Sequence, residues 1–564
     1  MHRALTDGDH GPDAPAGVLE SPTFGPAMDW IRREFLKLAG VSALVAPAML
    51  ARGVRAAMAQ LASAGVGPLF DVRSFGAAGD GKTIDSPAIN RAIEAAGAKG
   101  GTVYVPAGTY VCYSLRLKSA IAVYIEQGAT LLAADTPHEG TTAGYDAAES
   151  NEPWEEFQDF GHNHWHNSLI WGENLHDVAV FGPGLIWGRG LARGHDDHDL
   201  PLAEAPGVGN KAIALKNCRN VILRDLSMRA CGHFAVLATG VDNLTIDNLK
   251  IDTNRDGINI DCCRNVRVAN CSVNAPWDDA ICLKSSFALG IARPTENVSI
   301  VNCYVTGGYQ VGSLLDGSFK PFPAAWEKPD WQRTGRIKFG TESNGGFRNI
   351  AIANSIFESC RGLVLATVDG GSMEDITVVG VTMRDIRNAP IFLRLGARMR
   401  GPKQRPIGAL KRVLISNVSC HGPLNNMPSI ISGVPGHVIE DIKISDSTFL
   451  HEGGGTAEMA ALQPVERPED YPEPALFGPL PAEHFYLRHV RNIEFSHIEV
   501  ASVAADARPS FWLGDVNGAD LMHVKLPRAA GPACVLNDVS DFHMHAVRGF
   551  TDRSIAGAVS RLEI

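Results

Sequence analysis

The sequence predicts an all-β fold, a right-handed parallel β-helix in which successive coils stack into a solenoid behind a short N-terminal capping helix. From residue 219 onward, segments such as "RNVILRDLSM", "DNLTIDNLKI" and "RNVRVANCSV" return, with alternating apolar and polar residues and many β-branched ones. Their turn residues Asn220, Asn243 and Asn265 are 23 and 22 residues apart, a solenoid period. The leucine consensus of leucine-rich repeats is missing, so stacked β-coils are favoured.

The two ends of this repeat carry different signals. Near the start, "IDSPAINRAIEAAGAKGG" predicts one amphipathic helix, about Ser86 to Ala96, followed by the first strands. Such a helix would cover the open apolar end of the solenoid. Towards the other end, "GGGTAEMAALQPVERPEDYPEPALFGPLP" is rich in Gly and Pro and predicts a long loop folded against the coil wall.

Composition limits the partners. The chain has 564 residues, 45% of them hydrophobic, a formal net charge of −11 and a pI near 5.9. This balance argues against binding to nucleic acid or to an anionic membrane surface, and any acidic substrate needs a local cationic site. No interface for oligomerisation is evident in the sequence.

The N-terminal segment resembles an export signal of the twin-arginine type. Arg32 and Arg33 precede a modest apolar stretch and an A-x-A-like site at 57–59. We therefore expect residues 1–59 to be an extension plus signal, with Met28 as an alternative start, and residues 60–564 to be a single β-helix catalytic domain. The resemblance implies a periplasmic or secreted protein without a stable membrane span after signal removal.

The eleven cysteines fall inside strand-like stretches such as "KNC", "ANC" and "VNC" rather than in paired loop positions. This placement favours buried thiols over disulfides. A bridge that involves Cys262 or Cys263 stays open as an alternative.

Three acids are expected to meet on one side of the solenoid. Aligning coils by their turns sets "RDGINIDCC" above "DDAICLKSS", so that Asp256 and Asp279, 23 residues apart, are neighbours on consecutive rungs. Asp278 adds a third carboxyl group. Because like charges in contact raise the pKa of at least one member, such a cluster can hold a general acid beside an ionised base. A turn ladder or a calcium site is the alternative.

Three motifs resemble those of glycoside hydrolase family 28, the polygalacturonases and their relatives: "NRDGINID", "WDDAICLKSS" and "GRIKFG" are similar to its N-T-D, D-D and R-I-K signatures. The resemblance implies an inverting hydrolase that needs no metal or other cofactor and acts on pectic oligo- or polysaccharides. It makes Asp278 the general acid, with Asp256 and Asp279 activating water. Arg336 and Lys338 would bind the carboxylate of a galacturonic acid ring.

The match to this family has departures. Where the family has G-H-G, "GGYQVGS" offers Tyr309 and Gln310 without a histidine, and Arg255 stands where Thr is usual. An alternative alignment of "FGTESNGGFRNI" places Arg336 one coil before a true R-I-K, whose equivalent would then be residues 364–366. Further candidate substrate-binding residues are Asn254, Lys284, Tyr309, Gln310 and Arg394.

Two insertions, 287–295 and 316–334, leave the strands beside the acids and are expected to wall a cleft into a pocket suited to an exo-acting enzyme. The second carries aromatic residues that could stack on sugar rings or only hold the insertion in place: Phe319, Phe322, Trp326 and Trp331.

Two more groups are weaker candidates. His162, His164 and His166 alternate along an extended stretch without a carboxylate or cysteine at a telling spacing, so exposed or substrate-contacting histidines are favoured over a metal site. Arg394, Arg398 and Arg400 form a basic cluster that could recognise an acidic sugar or be a solvated loop.

Two other functions stay open. A polysaccharide lyase or epimerase on the same fold would use a basic residue, Lys284, Arg336 or Lys338, to abstract a proton. A non-catalytic carbohydrate-binding β-helix would bind sugar without turnover.

Overall fold

The protein is a parallel β-helix in which the strands of one coil pair in parallel with those of the next, while the short strands Tyr309–Val311 and Lys320–Pro321 pair antiparallel with each other, as do the last strands of the chain. The computed structural model describes residues 67–564 except 136–143, 160, 193–204, 312, 322–332, 404, 424–425 and 528–530. The predicted export signal therefore lies outside the described residues, as do Phe322, Trp326 and Trp331. Residues 68–564 form one compact unit. Among the described residues, no helix is long and apolar enough to cross a membrane.

The N-terminal helix α1 (Ser86–Lys99) forms as predicted and runs three residues further than expected. Its buried residues Ile89, Ala92 and Ile93 face the core, while polar residues cover its other side. In the described ranges, short 3₁₀ turns cover Val72–Phe75, Glu155–Phe157 and Pro474–Phe477, and a one-turn helix, α2, covers Ala457–Ala460. The first strands are β1 (Leu69–Asp71), β2 (Asp80–Ile84), β3 (Gly101–Val105), β4 (Gly108–Cys112), β5 (Leu115–Arg116), β6 (Ile121–Ile125), β7 (Ala129–Ala133), β8 (Ser168–Glu173), β9 (His176–Phe181) and β10 (Leu185–Trp187).

The middle coils repeat three strands per turn of the solenoid. Their strands are β11 (Lys211–Lys216), β12 (Arg219–Arg224), β13 (Ser227–Arg229), β14 (Phe234–Thr239), β15 (Asp242–Asp247), β16 (Lys250–Asp252), β17 (Asp256–Asp261), β18 (Arg264–Ala269), β19 (Ser272–Asn274), β20 (Ile281–Ser285), β21 (Thr295–Val301) and β22 (Tyr304–Thr306). The pairings β11 to β14, β14 to β17 and β17 to β20 are all parallel, and they build the face that carries the acids.

The later coils merge their strands into longer ones. They are β23 (Tyr309–Val311), β24 (Lys320–Pro321), β25 (Ile337–Ser343), β26 (Phe347–Ala353), β27 (Ile356–Glu358), β28 (Leu363–Thr367), β29 (Met373–Ile386), β30 (Ile391–Leu395), β31 (Leu410–Pro423), β32 (Ser429–Ser432), β33 (Ile439–His451), β34 (Phe485–Ser502), β35 (Phe511–Met522), β36 (Cys534–His545), β37 (Arg553–Ile555) and β38 (Leu562–Glu563). Strand β29 shows the merging, since it pairs with both β26 and β27.

The turn asparagines explain the repeat. Asn220, Asn243 and Asn265 all have positive φ, 53°, 58° and 56°, a conformation that asparagine tolerates better than most residues. Their amides also bond from coil to coil: Asn243 Nδ2 donates to Asn220 Oδ1 at 2.7 Å, and Asn220 Nδ2 donates to Asp177 Oδ1 at 2.8 Å. Each turn thus has both its backbone shape and its contact with the next coil fixed by the same residue type.

One face of the solenoid is covered on its outside. Strand β12 alternates exposed and buried residues, as expected for a sheet with one wet face. Strands β14 and β17 are buried at every position, because chain segments lie over that face. The acids lie on this covered face, so they are enclosed by other chain segments instead of being exposed on the surface of the solenoid.

All eleven cysteines are free and buried, which confirms the expected thiols and excludes the alternative bridge at Cys262 or Cys263. The Gly- and Pro-rich loop forms as predicted between β33 and β34 and contacts the coil wall: the rings of Phe477 and Phe392 have centroids 6.3 Å apart.

Candidate active site

The three acids meet as predicted. Asp256 is the first residue of β17, Asp278 and Asp279 come just before β20, and the register pairs Ile258 with Ile281, which is the predicted offset of 23 residues. The backbone N–H of Gly257 donates to the carbonyl oxygen of Asp279 at 3.0 Å. A carboxyl oxygen of Asp256 lies within 4.8 Å of one from Asp278, and likewise of one from Asp279.

The acids differ in charge because their surroundings differ. Burial, together with the charges of Asp278 and Asp279, raises the pKa of Asp256 well above its usual value. Burial alone would raise the pKa of Asp279 too, but Lys338 and Arg336 lower it below its usual value. The cluster therefore holds a protonated carboxyl group, that of Asp256, beside an ionised one, that of Asp279. Such a division was expected, although the resemblance gave the proton donor's role to Asp278.

Asp278 is the most accessible of the three, with 27% of its side chain exposed against 6% for Asp256 and 3% for Asp279. Its Oδ2 accepts a hydrogen bond from Arg255 Nη2 at 3.2 Å, and its Oδ1 accepts one from the backbone N–H of Asp279 at 3.0 Å. Arg255, which replaces the usual Thr, is thus a direct partner of the exposed acid.

Arg336 and Lys338 lie on the coil directly after the acids. Strand β25 pairs with β20, with Lys338 opposite Cys282, and then with β28, where Val364 is opposite Lys338. Residues 364–366, the R-I-K equivalent in the alternative alignment, therefore lie one coil further from the acids. Arg336 Nε donates to Asp279 Oδ1 at 2.9 Å, and Lys338 Nζ lies 3.2 Å from Asp279 Oδ2.

A chain segment that sequence reasoning did not connect to the site covers these two cations. We call residues 464–477, part of the loop before β34, the strap. The Glu473 carboxylate binds both terminal nitrogens of Arg336, one of them at 3.1 Å, and its Oε2 lies 3.2 Å from Arg361 Nη1. Lys338 Nζ donates to Tyr471 Oη at 2.9 Å. The sequence feature that could have indicated this contact is the acidic, proline-rich stretch "VERPEDYPEP", which offers carboxylates to the buried cations of the site.

Arg336 and Lys338, to which the resemblance gave the binding of a uronate carboxylate, are engaged by the chain itself. Both are buried, at 1% and 3% exposure, and both are paired with acids or hydroxyls of the chain. Burial alone would lower the pKa of Lys338, but Asp279 raises it well above its usual value, so this lysine stays protonated.

Lys284 and Arg394 also have internal partners. Lys284 is buried and lies 2.5 Å from Glu342 and 3.8 Å from Asp159. Arg394 is buried and donates to the backbone carbonyls of Gly433 at 3.0 Å and Arg467 at 2.9 Å, the second of which belongs to the strap. Both were expected to bind substrate. In the structure, their contacts fix the chain segments that surround the acids.

The expected basic cluster at 394–400 does not form an open patch. Arg398 is bound by Asp369, with Nη2 to Oδ2 at 2.6 Å, and Arg400 Nη1 donates to Asp159 Oδ1 at 2.5 Å. The second contact ties the 398–400 loop to the 158–159 segment beside the acids.

The remaining predicted binding residues are near the mouth. The backbone carbonyl of Asn254 accepts from the N–H of Trp277 at 2.8 Å. Tyr309 is half-buried in β23, and its ring lies 4.7 Å from that of Phe319. Gln310 is in the same strand, and its side chain is outside the described part of the chain. Trp277, beside Asp278 and 36% exposed, was not selected from the sequence, although an accessible indole suits a sugar ring.

A histidine reaches the acids from the preceding coil. His233 Nε2 lies 4.0 Å from Asp256 Oδ2, and burial, aided by the charge of Arg255, lowers the pKa of His233 well below its usual value. Phe234 is paired with Asp256, so His233 stands one residue before the equivalent of Asp256 on its coil. Aligning "GHFAV" with "NRDGI", which sets His233 level with Arg255, could have found it.

The three alternating histidines do not act as one group. His162 and His164 are buried, which excludes exposed side chains and leaves the substrate-contacting alternative open, and His162 Nε2 lies 3.3 Å from Nδ2 of Asn259 in β17. His166 lies with Glu149 and Glu173, and one ligand atom from each is within 4.8 Å of the others. Glu149 and Glu173 are carboxylate partners for His166 that the spacing of the sequence did not indicate. The three side chains are one place where the described residues could hold a metal ion.

The comparisons with known proteins agree with this geometry. A family model described as rhamnogalacturonase A/epimerase, pectate lyase-like, matches residues 69–129, and one described as a right-handed β-helix region matches residues 204–321. A probable polygalacturonase from Vitis vinifera is 24% identical over 387 residues, which cover 62% of this chain and 73% of the relative. An exo-poly-α-D-galacturonosidase from Dickeya chrysanthemi is 24% identical over 298 residues, covering 44% and 47%.

Among solved structures, the family 28 exopolygalacturonase from Yersinia enterocolitica superposes with a TM-score of 0.56 at 18% identity, over 82% of this chain and 78% of that one. This likeness shows the fold. The stacked parallel strands and the matching family model define a right-handed parallel β-helix that carries a cluster of three acids on one face. In sequence the chain is similar, at low identity, to these two galacturonic acid polymer hydrolases, a probable polygalacturonase and an exo-poly-α-D-galacturonosidase.

Proposed function

We propose that the protein is an exported hydrolase of α-linked galacturonic acid or related pectic sugars. The observation that carries this proposal is the acid cluster with its divided charge, on a covered face of the solenoid beside an accessible tryptophan. Polygalacturonase relatives support the pectic substrate. The twin-arginine-type segment supports export to the periplasm or beyond, and the single domain over 60–564 is part of the same proposal.

In the proposed reaction, Asp278 donates a proton to the glycosidic oxygen as the bond to the sugar's anomeric carbon breaks. It is assigned this role because it reaches the mouth of the site. Asp279, which its cations hold ionised, takes a proton from the attacking water. Asp256 keeps its proton and orients that water, and His233 lies against it. One water is consumed, and one new reducing end forms.

Inversion at the anomeric carbon is proposed from the family resemblance. One carboxyl oxygen of Asp256 lies within 4.8 Å of one from Asp278 and of one from Asp279, closer than the separation of about 6.5–9.5 Å usual for inverting pairs, whereas the proposed proton donor and base are Asp278 and Asp279. Proton magnetic resonance of the first-formed sugar tests this point directly. An inverted anomer supports the proposal, and a retained anomer would make one of the acids a nucleophile.

Action from the chain end is supported by the walls around the acids. The strap, the 158–159 segment and the 398–400 loop converge there, held by the contacts of Lys338 with Tyr471 and of Arg400 with Asp159. An exo-acting enzyme releases one small product from the first turnover, whereas an endo-acting enzyme releases a range of sizes. Chromatography of early products separates the two.

The cations of the site disfavour a lyase or epimerase. A base that abstracts a carbon-bound proton must lose its own proton near the working pH. Burial alone would lower the pKa of Lys284, but Glu342 raises it well above its usual value, and Lys338 is raised in the same way by Asp279. Both are therefore held as ammonium groups.

The test of the acid assignment uses Asp278→Asn with two substrates. On a natural oligosaccharide, we expect activity to fall by roughly 100- to 10,000-fold, since the glycosidic oxygen loses its proton donor. On an aryl glycoside of the same sugar, whose leaving group needs no proton, we expect the loss to be mostly restored. The control is Asp225→Asn, a turn acid that accepts from Asn248 and lies outside the cluster. Equal losses on both substrates would contradict the assignment.

A further inference from the structure

The cations beside the acids are already matched by carboxylates of the chain. Arg336 is bound by Asp279 and by Glu473, Lys338 by Asp279, Arg255 by Asp278 and Lys284 by Glu342. A uronate ring beside Asp279 would need at least one of these charges for its own carboxylate.

Glu473 binds Arg336 in the manner of a sugar carboxylate. Its two oxygens bind the two terminal nitrogens of Arg336, which is the fork geometry in which arginine recognises a sugar carboxylate. Arg361 adds a second cation at 3.2 Å. Burial alone would raise the pKa of Glu473, but Arg336 and Arg361 lower it to about 2, so the group is ionised at any ordinary working pH.

The strap that carries Glu473 is fixed at several points. Arg394 donates to the carbonyl oxygen of Arg467 at 2.9 Å, and Arg488 Nη1 donates to that of Pro464 at 2.7 Å. At the other end, Phe477 packs against the buried Phe392. Displacing Glu473 would break these contacts or leave a half-buried carboxylate without its cations, which is costly.

We propose that Glu473 is a specificity-determining residue that fills the carboxylate subsite, so that the sugar held beside Asp279 is a neutral one. This proposal rests on the proposed hydrolase function and narrows its substrate: an α-linked oligosaccharide whose ring at the acid cluster carries a hydroxymethyl or methyl group in place of a carboxylate. Trp277 and Tyr471, 36% and 46% exposed, provide ring faces suited to such a sugar.

The experiment compares a matched pair of substrates: α-linked oligogalacturonides and the same oligomers with their carboxyl groups chemically reduced to alcohols. The ratio of kcat/KM values is measured for the wild type and for Glu473→Gln. We expect the wild type to prefer the reduced oligomer by at least tenfold. In the variant, which removes the carboxylate that competes for Arg336 and Arg361, we expect the ratio to move towards the uronate by roughly 10- to 100-fold.

Two further variants guard against a folding defect. Tyr471→Phe removes only the hydroxyl that accepts from Lys338, so it should move the ratio in the same direction by a smaller factor. Glu469→Gln changes an exposed acid of the strap and should leave the ratio unchanged. Inhibition of the wild type by free galacturonate and by free galactose gives a binding readout, and galactose should be the stronger inhibitor.

The outcomes separate the two proposals. A wild type that prefers the uronate, with a ratio that Glu473→Gln does not move, would overturn the neutral-sugar inference and leave the hydrolase standing. The same would follow if galacturonate were the stronger inhibitor. Turnover of neither oligomer, with neither sugar bound, would overturn the hydrolase proposal itself.

Discussion

Replacing Asp256 by Asn should stabilise the protein while disabling the acid cluster. Asp256 is 6% exposed at its side chain, and its oxygens lie within 4.8 Å of those of two other acids. Two unit charges about 4.8 Å apart repel by ~3.5 kcal/mol at an effective dielectric constant of about 20. Burial and this repulsion raise the pKa of Asp256, so the folded protein must hold a proton that the unfolded chain releases.

The direction in which stability changes with pH follows from proton binding. Above a pH of about 4 the unfolded chain has lost this proton and the folded protein keeps it, so wild-type stability falls as the pH rises towards the raised pKa of Asp256. The slope is at most about 1.4 kcal/mol per pH unit, or ~4 kcal/mol between pH 4 and pH 7. An asparagine carries no such penalty but keeps the cost of burying a polar amide. We therefore expect a gain of about 2 kcal/mol in the free energy of unfolding at pH 7.

The assay is urea unfolding followed by circular dichroism, at pH 4 and at pH 7, for the wild type, Asp256→Asn and the control Asp225→Asn. Asp256→Asn should unfold at higher urea concentration at pH 7, and its advantage should shrink towards pH 4. Asp225→Asn should show no advantage that grows with pH. A variant no more stable than the wild type at pH 7, or equally favoured at both pH values, would refute the reasoning.

Two further predictions concern the fold. Asn243→Ala should lower the free energy of unfolding by about 1–3 kcal/mol, since it removes the hydrogen bond to Asn220 and places alanine at a φ of 58°. Asn243→Gly should cost less, because glycine tolerates that φ. Equal losses in the two variants would contradict the role given to backbone conformation. Glu342→Gln should lower the free energy of unfolding by about 3–5 kcal/mol, because it leaves Lys284 buried beside a neutral amide. The double variant Glu342→Gln with Lys284→Met should recover much of this loss, as measured by thermal unfolding. A double variant no more stable than the single one would contradict the pairing.

The β-helix could be predicted from the sequence because each coil repeats the same local requirements. The turn asparagines adopt a positive φ within their own coil and form an amide hydrogen bond to the neighbouring coil, so both requirements are local. The same alignment of coils brought Asp256 and Asp279 together, since residues at equal positions on consecutive coils must be neighbours.

The partners of the cations could not be predicted in this way. Glu473 is 137 residues from Arg336 and belongs to an irregular loop, so no period relates the two. His233 lies on a regular coil, and its contact with Asp256 was accessible to the alignment that found the acids. The pairing of Arg336 with Glu473 and of Lys338 with Tyr471 was out of reach because sequence motifs show which side chains are near the acids, but not which groups fold back over them.

The most direct test of the central claim, that the acid cluster carries out hydrolysis, is to digest pectic oligosaccharides in water labelled with heavy oxygen and to weigh the products by mass spectrometry. We predict that each cleavage adds the elements of one water, with a single heavy oxygen at one of the two new ends, and that Asp278→Asn suppresses this product. Unlabelled fragments lighter by one water, carrying a new carbon–carbon double bond, would show elimination and contradict the account.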